Sequence, residues 1–403
     1  MATSTFALLV LSGAALYFMT AEERKRLLRS TLDVMRMSVR TAAHSASSGE
    51  PFDEFLRART GWPVVTLLLV AVNALVFICM IFGRGALGDP QTLIDWGGSV
   101  APRTANGEWW RLITSLFVHA GPLHLLATIA GLVPLGVILE RAVGRVAFAA
   151  TYLAAGVLAG VVSLWTMSPT TVSTGASGAI FGLYGLLLAS IPYAVFSPPE
   201  VPIPFVLLKR IAAAAGPFLL YNLVTDHVGT AGELAGLGAG FVGGLFVARG
   251  VTREKPPLRR AAMVMTASLA IAAGAGVPLR GIVDARPEIA KVAAAEERTA
   301  GVYDAALAKF RRGRISMQEL AQTIDRTIVP DLQAVHARLK ELRGVPREQT
   351  PLVTAAEEYL GLREQSWRYR ADGLHKSRMD MLRKADLAER SALDSFEKIR
   401  PSM

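Results

Sequence analysis

Ser177 stands between glycines in Gly175-Ala176-Ser177-Gly178-Ala179-Ile180-Phe181-Gly182, at the start of an apolar stretch. A hydroxyl on the first turn of a helix lies beside unpaired backbone N–H groups and the positive end of the helix dipole. Both stabilise negative charge that develops there. As a nucleophile such a serine needs a partner within hydrogen-bond reach. Polar groups inside apolar segments are costly and point to function; here they include His119 and His124, in His119-Ala120-Gly121-Pro122-Leu123-His124, and Glu233. A packing role competes for Ser177. Gly178-xxx-Gly182 beside it, and Gly236-xxx-Gly240-xxx-Gly244 further on, permit close backbone approach.

The composition says what must position these residues. Of 403 residues, 52% are hydrophobic and 19% charged, below the roughly one quarter charged of soluble domains. This is an all-α polytopic membrane protein with a polar appendage. The net charge of +10 is not a nucleic-acid signal, because the basic residues gather beside apolar segments as cytoplasmic anchors do. No span carries the paired charges of an ion pathway. The single cysteine, Cys79, lies in an apolar run, so there is no disulfide framework. His119 and His124 are five apart across a Gly-Pro break, which is not metal spacing, and no phosphate-binding glycine loop is present. No metal or cofactor is expected.

Along the chain, residues 1–20 read as an N-out anchor, with Phe6–Met19 apolar and Glu22-Glu23-Arg24-Lys25-Arg26 after it. Residues 21–61 read as a cytoplasmic amphipathic helix and a linker around 44–51. Spans are expected at about 62–82, 112–138, 146–166, 177–194, 211–225 and 231–248, with a polar outer loop over 83–108. A basic loop and an additional span fill 251–280. Every Lys/Arg cluster then falls on one side, giving about eight spans with both termini outside. From 281 to 403 there are 22 Lys+Arg and 19 Asp+Glu, which marks an outward-facing helical domain. Its helices are expected at 286–312, 316–344 and in a last stretch that includes Leu374, Met381, Leu382, Ala385, Ala392 and Phe396.

Over about 62–250 these motifs resemble the core of the rhomboid intramembrane serine proteases. The resemblance implies a six-span fold with Ser177 as nucleophile. It implies that His124, and the position of Thr128 four residues later, bind the oxyanion, and that His119 supports the local loop. Trp110-Arg111 resembles the signature of the family's membrane-embedded loop, and Leu139-Glu140 with Gly144-Arg145 its turn after the next helix. Gly175, Gly178, Gly236 and Gly240 match its glycines. The sequence departs from the family at two catalytic positions: Thr128 replaces an asparagine and Glu233 replaces the histidine base. Glu233 could itself take the proton. His227 is the other candidate; it lies six residues earlier, roughly 9 Å along a continuous helix, so a folded-back loop would have to bring it near.

Two functions follow. One is a serine-type intramembrane endopeptidase that cleaves single-span membrane proteins. The other is a rhomboid-like pseudoprotease that binds transmembrane clients for quality control or trafficking. Either way the partners are transmembrane segments and the bilayer, with the C-terminal domain available to a protein partner.

Overall fold

The computed structural model describes residues 51–83, 85–196, 205–225, 231–248 and 255–399, with Lys25, Arg29, Leu32, Asp33, Arg36 and Arg40. The expected N-terminal span, the 44–50 linker, the break at Ser197-Pro198-Pro199-Glu200 and His227 lie outside the described residues. Contacts divide the chain between Arg280 and Gly281 into two units.

The first unit begins with α1 (Pro51–Arg59) and α2 (Val64–Phe82). A loop region follows, with α3 (Pro90–Asp95), α4 (Ala101–Thr104), α5 (Arg111–Thr114) and a 3-10 turn at Ser115–Phe117. Then come α6 (Pro122–Val143), α7 (Arg145–Thr166), α8 (Ser177–Phe196), α9 (Phe205–Val224), α10 (Ala231–Val247) and α11 (Leu258–Gly276). Among the described residues four helical segments are long and apolar enough to cross a membrane: Val64–Phe82, Pro122–Val143, Arg145–Thr166 and Leu258–Leu279. Ser177–Ile191, Ala215–Val224 and Ala231–Val247 are shorter apolar helical stretches. Large apolar side chains such as Leu68, Leu75, Leu220, Leu223 and Ile271 face outward, as suits a helical protein dissolved in lipid. The protein is an integral multi-pass membrane protein.

The third span differs from expectation. It begins at Pro122 rather than near 112, because the stretch from Arg111 to Phe117 folds into two short turns. Pro122 then takes the first position of α6, where its fixed φ and missing N–H carry no penalty. At the other end Gly144, at φ +88, makes the left-handed turn that separates α6 from α7. The helix expected at 211–225 starts earlier, at Phe205.

Glu140 shows how the turn after α6 supports its neighbour. Fully buried, its carboxylate accepts the N–H groups of Val65 and Thr66, at 2.8 and 2.7 Å, and the Thr66 hydroxyl at 2.7 Å. It caps the first turn of α2, where a negative charge meets the positive helix end.

The second unit holds α12 (Arg286–Arg311), α13 (Met317–Thr323), a π turn at Ile324–Ile328, α14 (Val329–Glu341), α15 (Thr350–Lys376) and α16 (Met379–Ile399). The last expected helix is therefore two. Ser377 adopts a left-handed conformation, φ +54, and ends α15, so Leu374 belongs to one helix and Met381 to Phe396 to the next. Trp367, Tyr359 and Leu360 fill the core of this unit. Beside them Arg363, 4% exposed in its side chain, pairs with Glu296 and Glu389, both at 2.8 Å.

Candidate active site

Ser177 is the first residue of α8, and the segment that delivers it is tied down twice. Ser99 and Ser173 exchange backbone hydrogen bonds of 3.0 and 2.7 Å, and the Gly175 N–H donates to the Ser115 carbonyl at 2.8 Å. Gly175 is required on two counts. Its φ is +93, and any side chain there would collide with the His124 imidazole. The loop supplying Ser99 and Ser115 is itself held by Arg111. This guanidinium, 4% exposed, donates to the carbonyls of Ile94 (2.5 Å) and Gly98 (2.9 Å) and pairs with Glu108. Trp110 lies against it, its ring centroid 4.5 Å from the guanidinium carbon.

Helix α10 is pressed backbone to backbone against α8. A methyl at Gly236 would strike the Gly178 carbonyl, and one at Gly240 the Gly182 carbonyl. Helix α7 makes the third wall: Ala159 meets Gly178, Ala155 meets Gly182 and Ser163 meets Gly232. This packing puts Glu233, 4% exposed on the first turn of α10, into one cavity with Ser177. The cavity is about 70 Å³, and its lining includes Ser115, Ser163, Thr174 and Gly175. That volume admits a few water molecules.

His124 abuts Gly175, stacks on Tyr221 with centroids 5.4 Å apart and meets His119 edge-on at 4.8 Å. His119 is fully buried in the loop before α6. Burial is the main cause that lowers its pKa to about 4, so the ring is neutral at pH 7. Its Nδ1 lies 3.2 Å from the Phe117 carbonyl and its Nε2 3.2 Å from Thr128 Oγ1. A carbonyl only accepts, so Nδ1 carries the proton and Nε2 accepts from the Thr128 hydroxyl. Thr128 thus faces His119 with the proton that an oxyanion would need.

The structure therefore gathers Ser177, Glu233, Gly175, Gly178 and Gly236 around one cavity, with His124 beside it and the His119–Thr128 pair behind. His227 lies outside the described residues. Ser163 and Tyr221 were not anticipated. Ser163 could have been found, since Gly156, Gly160 and Ser163 recur at helical spacing on the face of α7 that lines the cavity; Tyr221 carries no comparable signal. Among the described residues no group of three His, Cys, Asp or Glu could hold a metal ion.

A family model described as the Rhomboid domain matches residues 106–250. Rhomboid protease AarA of Providencia stuartii is 30% identical over 196 residues, covering 44% of this chain and 67% of that protein. Putative rhomboid protease YdcA of Bacillus subtilis (strain 168) is 36% identical over 142 residues, 34% of this chain and 66% of that protein. Rhomboid protease GluP of the same organism is 32% identical over 194 residues, 47% of this chain but only 35% of that protein. No solved structure matches.

Proposed function

The chain belongs to the rhomboid family, and we propose that it is an intramembrane serine endopeptidase in which Glu233 replaces the family's histidine as base. The observation that carries this reading is the cavity shared by Ser177 and Glu233. The substrate is the transmembrane segment of a membrane protein, presented near the outer face, with both termini of the enzyme outside.

In this reading the Ser177 Oγ attacks the scissile carbonyl carbon while the Glu233 carboxylate takes the hydroxyl proton. The tetrahedral oxyanion is held by backbone N–H groups at the start of α8, with His124 as a side-chain donor. Collapse breaks the C–N bond, and Glu233 returns the proton to the leaving amine. A water then attacks the acyl-serine, giving its proton to Glu233, and the second collapse releases the carboxyl product and restores the Ser177 hydroxyl. His124 would be the side-chain oxyanion donor, because the Thr128 proton is directed to His119.

The second reading is a pseudoprotease that binds transmembrane clients, with the C-terminal unit recruiting partners. Thr128 favours it: an oxyanion donor of the family is replaced by a hydroxyl that supports a neighbour. The two are separated in proteoliposomes with a single-span reporter substrate, comparing the parent with Ser177→Ala, Glu233→Gln and Glu233→His. Cleavage lost in both Ser177→Ala and Glu233→Gln supports the enzyme. Cleavage that appears only in Glu233→His supports the scaffold.

A further inference from the structure

A second, larger cavity lies at the other end of the bundle. It measures about 410 Å³ and is walled by the end of α1, the Gly144 turn and the start of α11, with Arg59, Arg145 and Lys255 in its lining. Helix α7 spans the distance between the two cavities, since Arg145 lines this one and Ser163 the one holding Ser177. Eighteen residues of helix cover about 27 Å, close to the thickness of a bilayer's hydrocarbon core. The two cavities therefore open at opposite membrane faces.

The lining combines two chemistries. Its three cations are accompanied by no carboxylate among the described lining residues, while Val143, Val146, Leu258 and Ala261 supply an apolar wall. The carboxylate one turn away on α6, Glu140, is engaged with the N–H groups of α2. Two of the cations lie against the Gly144 turn and the start of α2. The Arg145 guanidinium donates to the Trp62 carbonyl at 3.3 Å, and the Lys255 Cδ lies 3.5 Å from where a Gly144 Cβ would stand. The third, Arg59, is partly buried at the end of α1, with its guanidinium carbon 5.3 Å from the centroid of the Phe55 ring.

We propose that this cavity binds the headgroup of an anionic phospholipid, the phosphate between Arg59, Arg145 and Lys255 and the glycerol region against Val146 and Leu258. A phosphate accepts several charge-assisted hydrogen bonds from arginine at once, and basic pockets between spans at a membrane face suit lipid headgroups. The apolar wall and the position at the bilayer surface select a lipid over a free anion. The bound lipid ties α1 and α11 to the Gly144 turn, fastening the additional span to the core.

The test uses the full chain purified in detergent, titrated with dihexanoyl phosphatidylglycerol, dihexanoyl phosphatidylcholine or inorganic phosphate, with bound lipid read by native mass spectrometry. Phosphatidylglycerol binds in preference to phosphatidylcholine, and Arg59→Gln and Lys255→Gln each weaken it about five-fold. Arg280→Gln, at the opposite end, leaves binding unchanged. Phosphatidylcholine binding as tightly, or both variants binding like the parent, would overturn the proposal. Inorganic phosphate displacing the lipid at equal concentration would overturn the lipid assignment in favour of a free-anion site. Should a variant fail to fold, the parent itself decides: affinity for phosphatidylglycerol must fall as salt rises from 50 to 300 mM, and a flat response sinks the idea.

Discussion

Thr128 gives its hydroxyl proton to Nε2 of His119, 3.2 Å away, and His119 in turn donates from Nδ1 to the Phe117 carbonyl. A residue at the position where the family resemblance implies an oxyanion donor thus serves the loop that leads into α6. Thr128→Val removes the hydroxyl at nearly constant volume and leaves a buried ring nitrogen unsatisfied, which costs about 1–3 kcal/mol. Thermal unfolding reads that loss, while the rate of Ser177 labelling by a fluorophosphonate stays within a few-fold of the parent. A drop of about 100-fold or more, the size expected for removing an oxyanion donor, would contradict this role.

His119 also sets a pH dependence. Its folded pKa, about 4, lies below its ordinary value of 6.5, so the unfolded chain binds the extra proton first. Its contribution is complete above pH 6.5 and is lost as pH falls toward 4, amounting to about 2 kcal/mol between pH 7 and pH 5. Melting curves of the parent and His119→Gln at the two pH values test this. The variant should start lower and show the shallower slope; equal slopes would mean that another group sets the pH dependence.

The α8–α10 contact yields a paired test. A methyl at Gly240 would lie on the Gly182 carbonyl, whereas one at Gly238 meets nothing within 4 Å. Gly240→Ala should cost about 3 kcal/mol or more, at the upper end of overpacking. Gly238→Ala should be neutral or stabilise by about 0.5–1 kcal/mol through helix propensity. Detergent melting points of the two variants decide it.

In the C-terminal unit, Arg363 holds Glu296 through two nitrogens and also reaches Glu389. Arg363→Met should cost about 3 kcal/mol, because two partly buried carboxylates lose their partner. The same charge pair keeps Glu389 acidic: burial raises its pKa, but Arg363 and Arg370 outweigh that and lower it below the usual carboxylate value. That contribution is present at neutral pH and lost as Glu389 protonates, so the deficit of Arg363→Met should be largest at pH 7 and shrink as pH falls through the carboxylate range, which thermal unfolding followed by circular dichroism at the two ends of that range would detect.

Much of the site was legible because its parts are local. A serine between glycines at a helix start, the glycine rows of α8 and α10, and Trp110-Arg111 each carry their reason within a few residues. What was not legible depends on contacts far apart in sequence. Leu112, Ile113, Leu116 and Phe117 lead toward the apolar residues of α6 with only Thr114-Ser115 between them, so nothing local says that this stretch folds as short turns under Arg111 rather than as the start of a span. Ser163 reaches the site only because Gly232 has no side chain to exclude it, and Tyr221 stacks on His124 from a helix nearly a hundred residues away. The left-handed turn at Ser377 carries no glycine to announce it.

The proposed pairing makes Ser177 an activated nucleophile with Glu233 as its base. The most direct measurement is fluorophosphonate labelling of the folded protein in detergent, with the modified residue located by mass spectrometry in the parent, Ser177→Ala and Glu233→Gln. This pairing puts a label on Ser177 in the parent and none in Ser177→Ala, and lowers the rate by about 100-fold or more in Glu233→Gln. A folded parent that takes no label, or Glu233→Gln labelling at the parent rate, would contradict it.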